Sequence, residues 1–304
     1  MAEVERLSRA VSPSAQRSYG VALVCDVLGV ARSTYYDHKA ARENPSPTPP
    51  RKRGPKTKLD DAALVVEIRK ALAESLFTGE GHRKAWARLR FKGVRTSQKR
   101  VLRLMRENGL LAPPKARRVL GPRTHDGTIT TDAPDVMWGT DATATYTVEN
   151  GFVTVFAAVD HCTSECVGVH AAKLGTRFEA LEPIRQGVVA RYGSYAEGVV
   201  QGLKVRHDHG SQYTSDKFQG ELAWLGAESS PAFVRAPEGN GVVERFFRTL
   251  KEQFLWVHTF RTVEELRLAL LDWINVYNEQ WLVARHGYRS PAQVRREATV
   301  ALVA

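Results

Sequence analysis

The chain changes texture once, and abruptly. Up to Leu110 its apolar residues recur at helical spacing, whereas from Val136 onward they run in strand-like stretches. The two textures meet across 119–135, a segment of Gly, Pro, Thr and Asp with little periodicity, which marks a domain boundary. A chain built this way folds as an all-α part followed by an α/β part. Its 304 residues accommodate both at about 150 residues per domain. With 43% hydrophobic and 25% charged residues it has material for a packed core, so disorder throughout is excluded. No apolar run approaches the ~18 residues of a membrane helix. Met1–Ala10 carries Glu3, Glu5, Arg6 and Arg9 in place of a signal-peptide core. Three cysteines, Cys25, Cys162 and Cys166, do not make a disulfide scaffold. A cytoplasmic protein with no membrane partner is expected.

Charge divides at the same place. Residues 1–131 hold 27 Lys/Arg against 12 Asp/Glu, a balance of +15, while 132–304 balance at −4 within the total of +11. A basic N-terminal half implies a polyanionic partner, most often nucleic acid. Within it, Val21, Val24, Cys25 and Leu28 mark a helix, Gly29 a turn, and Arg32–Tyr36 the start of a second helix, the pattern of a helix-turn-helix. The run NPSPTPPRKRGPKTK then places four prolines within Asn44–Pro50, which forbids helix and sheet and makes a stiff, charged linker. Arg51, Lys52 and Arg53 in it are candidate phosphate contacts. Residues 60–108 read as a second helical module, with Trp86 and Leu89 inward and Ser97 capping its last helix. That helix sets Val101, Leu102, Leu104 and Met105 on an apolar stripe and Lys99, Arg103 and Arg106 on the opposite face. With Arg100 these cations are candidate DNA contacts, although charged outer faces are also the rule for surface helices.

The strand-like half reads as strands at Trp138–Val148, Phe152–Val159 and Cys166–His170, a helix Arg177–Tyr192, a strand Leu203–Arg206, a helix Asp216–Leu225, an extended stretch Ala227–Phe233 and a helix Val242–Trp256. The tail from Thr262 to Ala304 is helical around a loop at Ser290 and Pro291. Three meandering strands followed by alternating helix and strand predict a mixed sheet with helices on its faces. The predicted division is a helix-turn-helix-like segment 1–43, a linker 44–58, a second helical DNA-binding module 59–115, a linker 116–134, a catalytic core 135–260 and a helical extension 261–304.

Three carboxylates stand out by context. Asp141 lies in WGTDATATYT, Asp208 in VRHDHGSQYTS just past a strand, and Glu244 in the first turn of a helix opened by Gly239, Asn240 and Gly241. Asp141 and Asp208 are separated by 66 residues, Asp208 and Glu244 by 35. Strand-end and helix-start carboxylates can converge on one sheet edge, where their mutual repulsion favours a hard divalent cation such as Mg²⁺ or Mn²⁺. Two such ions about 4 Å apart activate an attacking oxygen and stabilise the leaving oxygen of a phosphodiester. Lys251 follows Glu244 by two turns on the same face, where it can hold DNA backbone. Each acid also has an ordinary structural explanation: Asp141 capping a turn, Asp208 beginning an Asx-turn before Gly210, and Glu244 pairing with Arg248.

The surrounding words decide between these readings. LGVARSTYY, GHRKAWARLRFKGV, KRVLRLMRENGL, WGTDAT, HDHGSQYTS, GNGVVERFFRTLK, WINVYN and GYRSPAQV together resemble the transposases of bacterial insertion sequences. The group is the one whose enzyme is encoded in two overlapping frames, and the chain looks like the second-frame product. The resemblance implies a DDE core of ribonuclease H-like fold, a mixed five-stranded sheet with flanking helices, preceded by all-α helix-turn-helix modules. It implies two Mg²⁺ ions, with Mn²⁺ as a substitute, held by Asp141, Asp208 and Glu244, and Lys251 as the basic residue that follows the Glu. It implies double-stranded DNA, element ends and target, as substrate, hydrolytic nicking followed by strand transfer, a homo-oligomer on the DNA, a first-frame partner or frameshift fusion, and a place at the nucleoid.

The sequence departs from relatives at Trp281 and Val283, where Arg and His are usual, and at Arg206 and His207, which replace His-Ser; both put auxiliary DNA contacts in question. Rival readings are a decayed DNA-binding regulator, a ribonuclease H-like nuclease without joining activity, and an RNA-binding role, for which the aromatic sheet signature is missing. His161, Cys162, Cys166 and His170 lack the paired spacing of a zinc site. Asp160 and Asp216 are expected to be structural, the latter as a helix cap, and His207 and His209 to be solvated.

Overall fold

The computed structural model describes residues 1–44, 58–113, 129–232 and 237–303. Arg51, Lys52 and Arg53 therefore lie outside the described residues. The chain falls into two compact units, Met1–Lys58 and Leu59–Ala304. In the first, helices α1 (Ala2–Arg9), α2 (Gly20–Val27) and α3 (Arg32–Glu43) close over Val4, Val24, Cys25 and Tyr35. Gly29, at φ +64°, makes the turn between α2 and α3, a conformation that costs glycine nothing. The helical periodicity gave no warning of α1, which is short and strongly charged.

The second unit begins with α4 (Asp61–Ala73), α5 (His82–Phe91) and α6 (Gln98–Glu107). Ser97 caps α6 by accepting the Arg100 amide, and Asp60 caps α4 from Ala63. Leu64, Ile68, Ala85, Leu89, Val101, Leu104 and Met105 form the centre of this module, with Trp86 packed at its margin. Leu102, expected on the inner stripe, is only partly buried.

The sheet follows: β1 (Met137–Thr147), β2 (Gly151–Asp160), β3 (Cys166–Ala172), β4 (Lys204–His207) and β5 (Glu228–Pro231) in the spatial order β3-β2-β1-β4-β5. β1, β2 and β3 are an antiparallel meander, while β1, β4 and β5 run parallel. This is the expected five-stranded ribonuclease H-like arrangement. Because side chains alternate along a strand, β2 sends Val153, Val155, Ala157 and Val159 to one face and Phe156 and Ala158 to the other. The second face is covered by α7 (Arg177–Tyr192) and α9 (Asp216–Leu225), with Trp138 of β1 fully buried between them. The first face is covered by α10 (Gly241–Leu250) and α11 (Val263–Gln280). A short α8 (Ser211–Thr214) and the closing α12 (Pro291–Val303) complete the unit. Gly168 is obligatory on β3, since a Cβ there would lie 1.9 Å from the Pro183 carbonyl oxygen of α7.

Two local outcomes differ from expectation. α10 does not continue as α-helix to Trp256; Lys251–Leu255 form a π turn. Asp216 does not cap α9: Ser215 does, accepting the Phe218 amide, and Asp216 sits in the first turn.

The helical module is packed into the sheet's own core. Phe77, in the loop after α4, is buried among α10 and α11 residues and meets Trp281 edge-on at 4.8 Å. Trp86 meets Tyr288 at 6.0 Å, and the Lys84 ammonium lies over the Trp281 ring. Burial pulls the Lys84 pKa down to about 7, against the opposing pull of Glu80. Gln253 of the π turn closes the seam: its Oε1 accepts the Thr78 amide at 2.9 Å and its Nε2 donates to the Thr78 carbonyl at 3.1 Å. Trp281 is thus a packing residue here. Trp281→Ala is expected to lower stability by about 2–3 kcal/mol, below the ~3–5 of a fully enclosed ring, and to raise amide exchange in α4 and α5. A change in α11 alone would show that the module does not lean on this ring.

Candidate functional site

Parallel pairing of β1 with β4 sets the first two carboxylates side by side. The registered pairs end at Gly139 and Arg206. Two residues farther along each chain stand Asp141, still within β1, and Asp208, just past β4. One oxygen of Asp208 accepts the Gly210 amide at 2.8 Å, so the Asx-turn is present, and the side chain stays exposed. One oxygen of Asp141 accepts the amide of Ala142 at 2.8 Å.

The third carboxylate arrives with α10, and a buried contact fixes where that helix starts. Asn240, immediately ahead of α10, donates from Nδ2 to the Thr140 carbonyl at 3.1 Å. The approach is possible because residue 139 is glycine: a Cβ there would come within 2.7 Å of Asn240 Oδ1 and 2.6 Å of His161 Nε2. Asp141, two residues on from Gly139, points to the same side of the sheet. His161 donates from Nδ1 to the Ile129 carbonyl at 2.9 Å, and burial pulls its pKa down to about 4. Glu244 then falls in the exposed first turn of α10, with Arg248 one turn and Lys251 two turns farther on.

Electrostatics show that these groups feel one another. The Asp141 pKa is pushed up to about 6, first by burial and further by the charges of Asp208 and Glu244, while the Ala142 amide and the Lys251 ammonium oppose the rise. An open cleft of about 360 Å³ is lined by Asp141, Ala142, Glu244, Phe247, Arg248, Lys251, Glu252 and Trp256. Among the described residues no three His, Cys, Asp or Glu side chains are gathered closely enough to hold a metal ion. The donor chemistry nevertheless suits a hard cation. All three groups are carboxylates, and the burial and like charge that raise Asp141 are costs a dication removes.

The other sequence-selected residues are placed as follows. Lys99 and Arg106 are exposed on α6, with no ion pair among the described residues. Arg103 is exposed too, but its guanidinium pairs with Asp61 at 2.6 Å and Glu107 at 2.9 Å. Arg100 turns onto Asp61 and the Leu59 carbonyl. Arg206 and His207 are buried and tie β4 to β5 through Ser230 and Ser229. The expectation of a solvated His207 is thereby corrected, because β4 carries it inside; His209 is exposed. Asp160 is structural, accepting from the Thr163 amide and hydroxyl and from the Asp135 amide. His170 faces Glu179 at 2.6 Å and the Cys166 thiol donates to the Gly168 carbonyl, so the candidate zinc residues point to separate partners. Asn240 was read from the sequence only as a helix opener; the signal for its larger part was a Gly-Asn-Gly run directly ahead of an acidic first turn.

Asn240→Ala leaves the buried Thr140 carbonyl without its donor, so a loss of about 1–3 kcal/mol is expected, with faster amide exchange over residues 241–247. Unchanged exchange there would mean that apolar packing alone positions α10.

An HTH-like domain matches residues 58–118 and an integrase core domain matches residues 226–291. The transposase for insertion sequence element IS629 of Shigella sonnei is 27% identical over 92% of this chain and 93% of its own. Transposase InsD of the Escherichia coli insertion element IS2 is 27% identical over 92% of each chain. Among solved structures, a chain of the simian T-cell lymphotropic virus intasome aligns over 69% of this chain and 70% of its own, at 18% identity and a TM-score of 0.44. The resemblance first carried by WGTDAT, HDHGSQYTS and GNGVVERFFRTLK therefore stands: the chain is similar to bacterial insertion-sequence transposases over most of its length, with an HTH-like domain match ahead of an integrase core domain match.

Proposed function

We propose that this chain is a DDE-type DNA transposase that cuts and joins DNA strands at the ends of an insertion sequence. The observation that carries the reading is the placement of Asp141, Glu244 and Lys251 on one cleft, with Asp208 level with Asp141 beyond the β1–β4 pairing. Asp141, Asp208 and Glu244 would hold two Mg²⁺ ions. Those ions, when bound, supply activation of the attacking oxygen and stabilisation of the leaving oxygen. The chain's own residues do the rest. Asp141 and Asp208 each commit one oxygen to a backbone amide, which fixes the carboxylate plane and leaves the second oxygen for an ion. Lys251 and Arg248, exposed to the same cleft, hold the phosphates flanking the scissile bond. No protein nucleophile is required, since water frees a 3′-hydroxyl and that hydroxyl then attacks the target strand.

DNA is bound by the helical parts, the segment 1–43 and the module 59–115, joined to the core 135–260 and the extension 261–304 by the linkers 44–58 and 116–134. Lys99 and Arg106 are the phosphate contacts of α6, braced by Arg100 and Arg103. A homo-oligomer on the DNA, a first-frame product or frameshift fusion as partner, and a cytoplasmic place at the nucleoid follow from the same reading. Among the described residues no helix is long and apolar enough to cross a membrane.

Asp141→Asn, Asp208→Asn and Glu244→Gln are each expected to abolish Mg²⁺-dependent cleavage of labelled element ends while leaving DNA binding intact. Near-normal strand transfer by any of the three would remove that residue from the site. Hydrolysis without joined products would recast the chain as a nuclease. Replacing Lys99 and Arg106 together by Ala should reduce the slope of log affinity against log salt by about 2, roughly one per phosphate contact. An unchanged slope would show that α6 does not face DNA.

A further inference from the structure

Past Lys251 the helix carrying Glu244 changes its winding. In an α-helix, residues 244, 248, 251 and 255 share one face, at intervals of four, seven and eleven. Glu244, Arg248 and Lys251 do line the cleft, as does Glu252, but at the end of the helix it is Trp256 and not Leu255 that joins them. The cause is the π turn Lys251–Leu255: the Trp256 amide donates to the Lys251 carbonyl at 3.0 Å, five residues back. The extra residue in that turn sends Leu255 into the core, where it is 5% exposed, and delivers Trp256 to the cleft at 71% exposure. Such turns are frequent at functional sites. The Thr78–Gln253 amide pair holds this one in place.

The indole is free to receive a ligand. No described ring or cation stacks on it, whereas Phe254 and Leu255 just before it are buried. The cleft it lines also holds the cations Arg248 and Lys251 and the carboxylates Asp141, Glu244 and Glu252. An apolar protein partner would have to desolvate that charged rim. A nucleotide instead offers phosphate to the cations and a π-face to the indole.

We propose that Trp256 is a stacking platform for one unpaired base of the DNA strand whose phosphate lies at the carboxylates, so that the chain unstacks the end of the duplex in order to cut it. This rests on the transposase reading and adds a specificity element to it. An indole stacks on any base, so the residue selects for an unpaired nucleotide at a fixed distance from the cut, not for its sequence. Unstacking a terminal pair is costly, and base–indole stacking offsets part of that cost.

The test uses the full chain and a duplex bearing the element's own terminus, read from the DNA flanking its gene. 2-Aminopurine replaces each of the six nucleotides around the terminal phosphodiester in turn, with Ca²⁺ in place of Mg²⁺. At one position the wild-type complex should quench the probe, and Trp256→Ala should relieve the quench several-fold while Trp256→Tyr keeps it. An abasic site at that position should slow wild-type cleavage by roughly ten- to a hundredfold, and Trp256→Ala should show no further loss on that substrate. Equal fluorescence of wild type and Trp256→Ala complexes at all six positions would overturn the proposal. So would a change in sedimentation of Trp256→Ala with no change in the probe, which would assign the ring to a protein contact. A wild-type complex that quenches the probe but cuts nothing would instead remove the transposase reading and leave the stacking site standing.

Discussion

Like charges brought together must be held there by something else. Asp141 lies in the middle of the longest strand, and burial alone raises its pKa before Asp208 and Glu244 raise it further. Two features resist the resulting repulsion. The parallel pairing of β1 with β4 sets Asp141 and Asp208 level, and the Asn240–Thr140 hydrogen bond pins the start of α10, with Glu244, against the same strand. The second depends on a close approach to β1 that Gly139 allows, since a Cβ there would meet Asn240. The apolar layers on either side of the sheet supply the stiffness.

How much of this could be read from residues alone follows from the range of the forces involved. The β1–β3 meander, α7 and α9 were legible because alternation and helical spacing are local, and their ends agree with the sequence reading to within a residue or two. The acids Asp141, Asp208 and Glu244 were legible from the words around them, not from spacing. The clasp between Asn240 and Thr140 was not, because it joins residues a hundred positions apart. Nor was the π turn, since Lys251–Leu255 keeps an ordinary amphipathic pattern and only the Gln253 tie to Thr78 and the burial of Leu255 select the wider winding. His207 misled for a similar reason: in the sequence it sits beside Gly210 in a polar run, but the last pair of β4 and β5 carries it under Ser229.

Arg103 illustrates the limit of reading charge from a helical wheel. Its position on α6 is outward, as the pattern demands, yet Asp61 and Glu107 neutralise it, while Lys99 and Arg106 on the same face keep their field. Total charge therefore overstates what the module presents to a polyanion, and the count that matters is of cations without an acid nearby.

The loop after α4 binds the two halves of the second unit more tightly than a tether would. Phe77 fills part of the sheet's core and Thr78 holds the glutamine on which the wide turn depends. A fragment beginning at the sheet would open a hole beneath α11 and lose the support for the turn that follows Lys251. Exchange of recognition modules between related chains therefore meets a seam: the outward face of α6 is free to drift, but Phe77, Thr78, Gln253 and Trp281 must travel together or be matched anew.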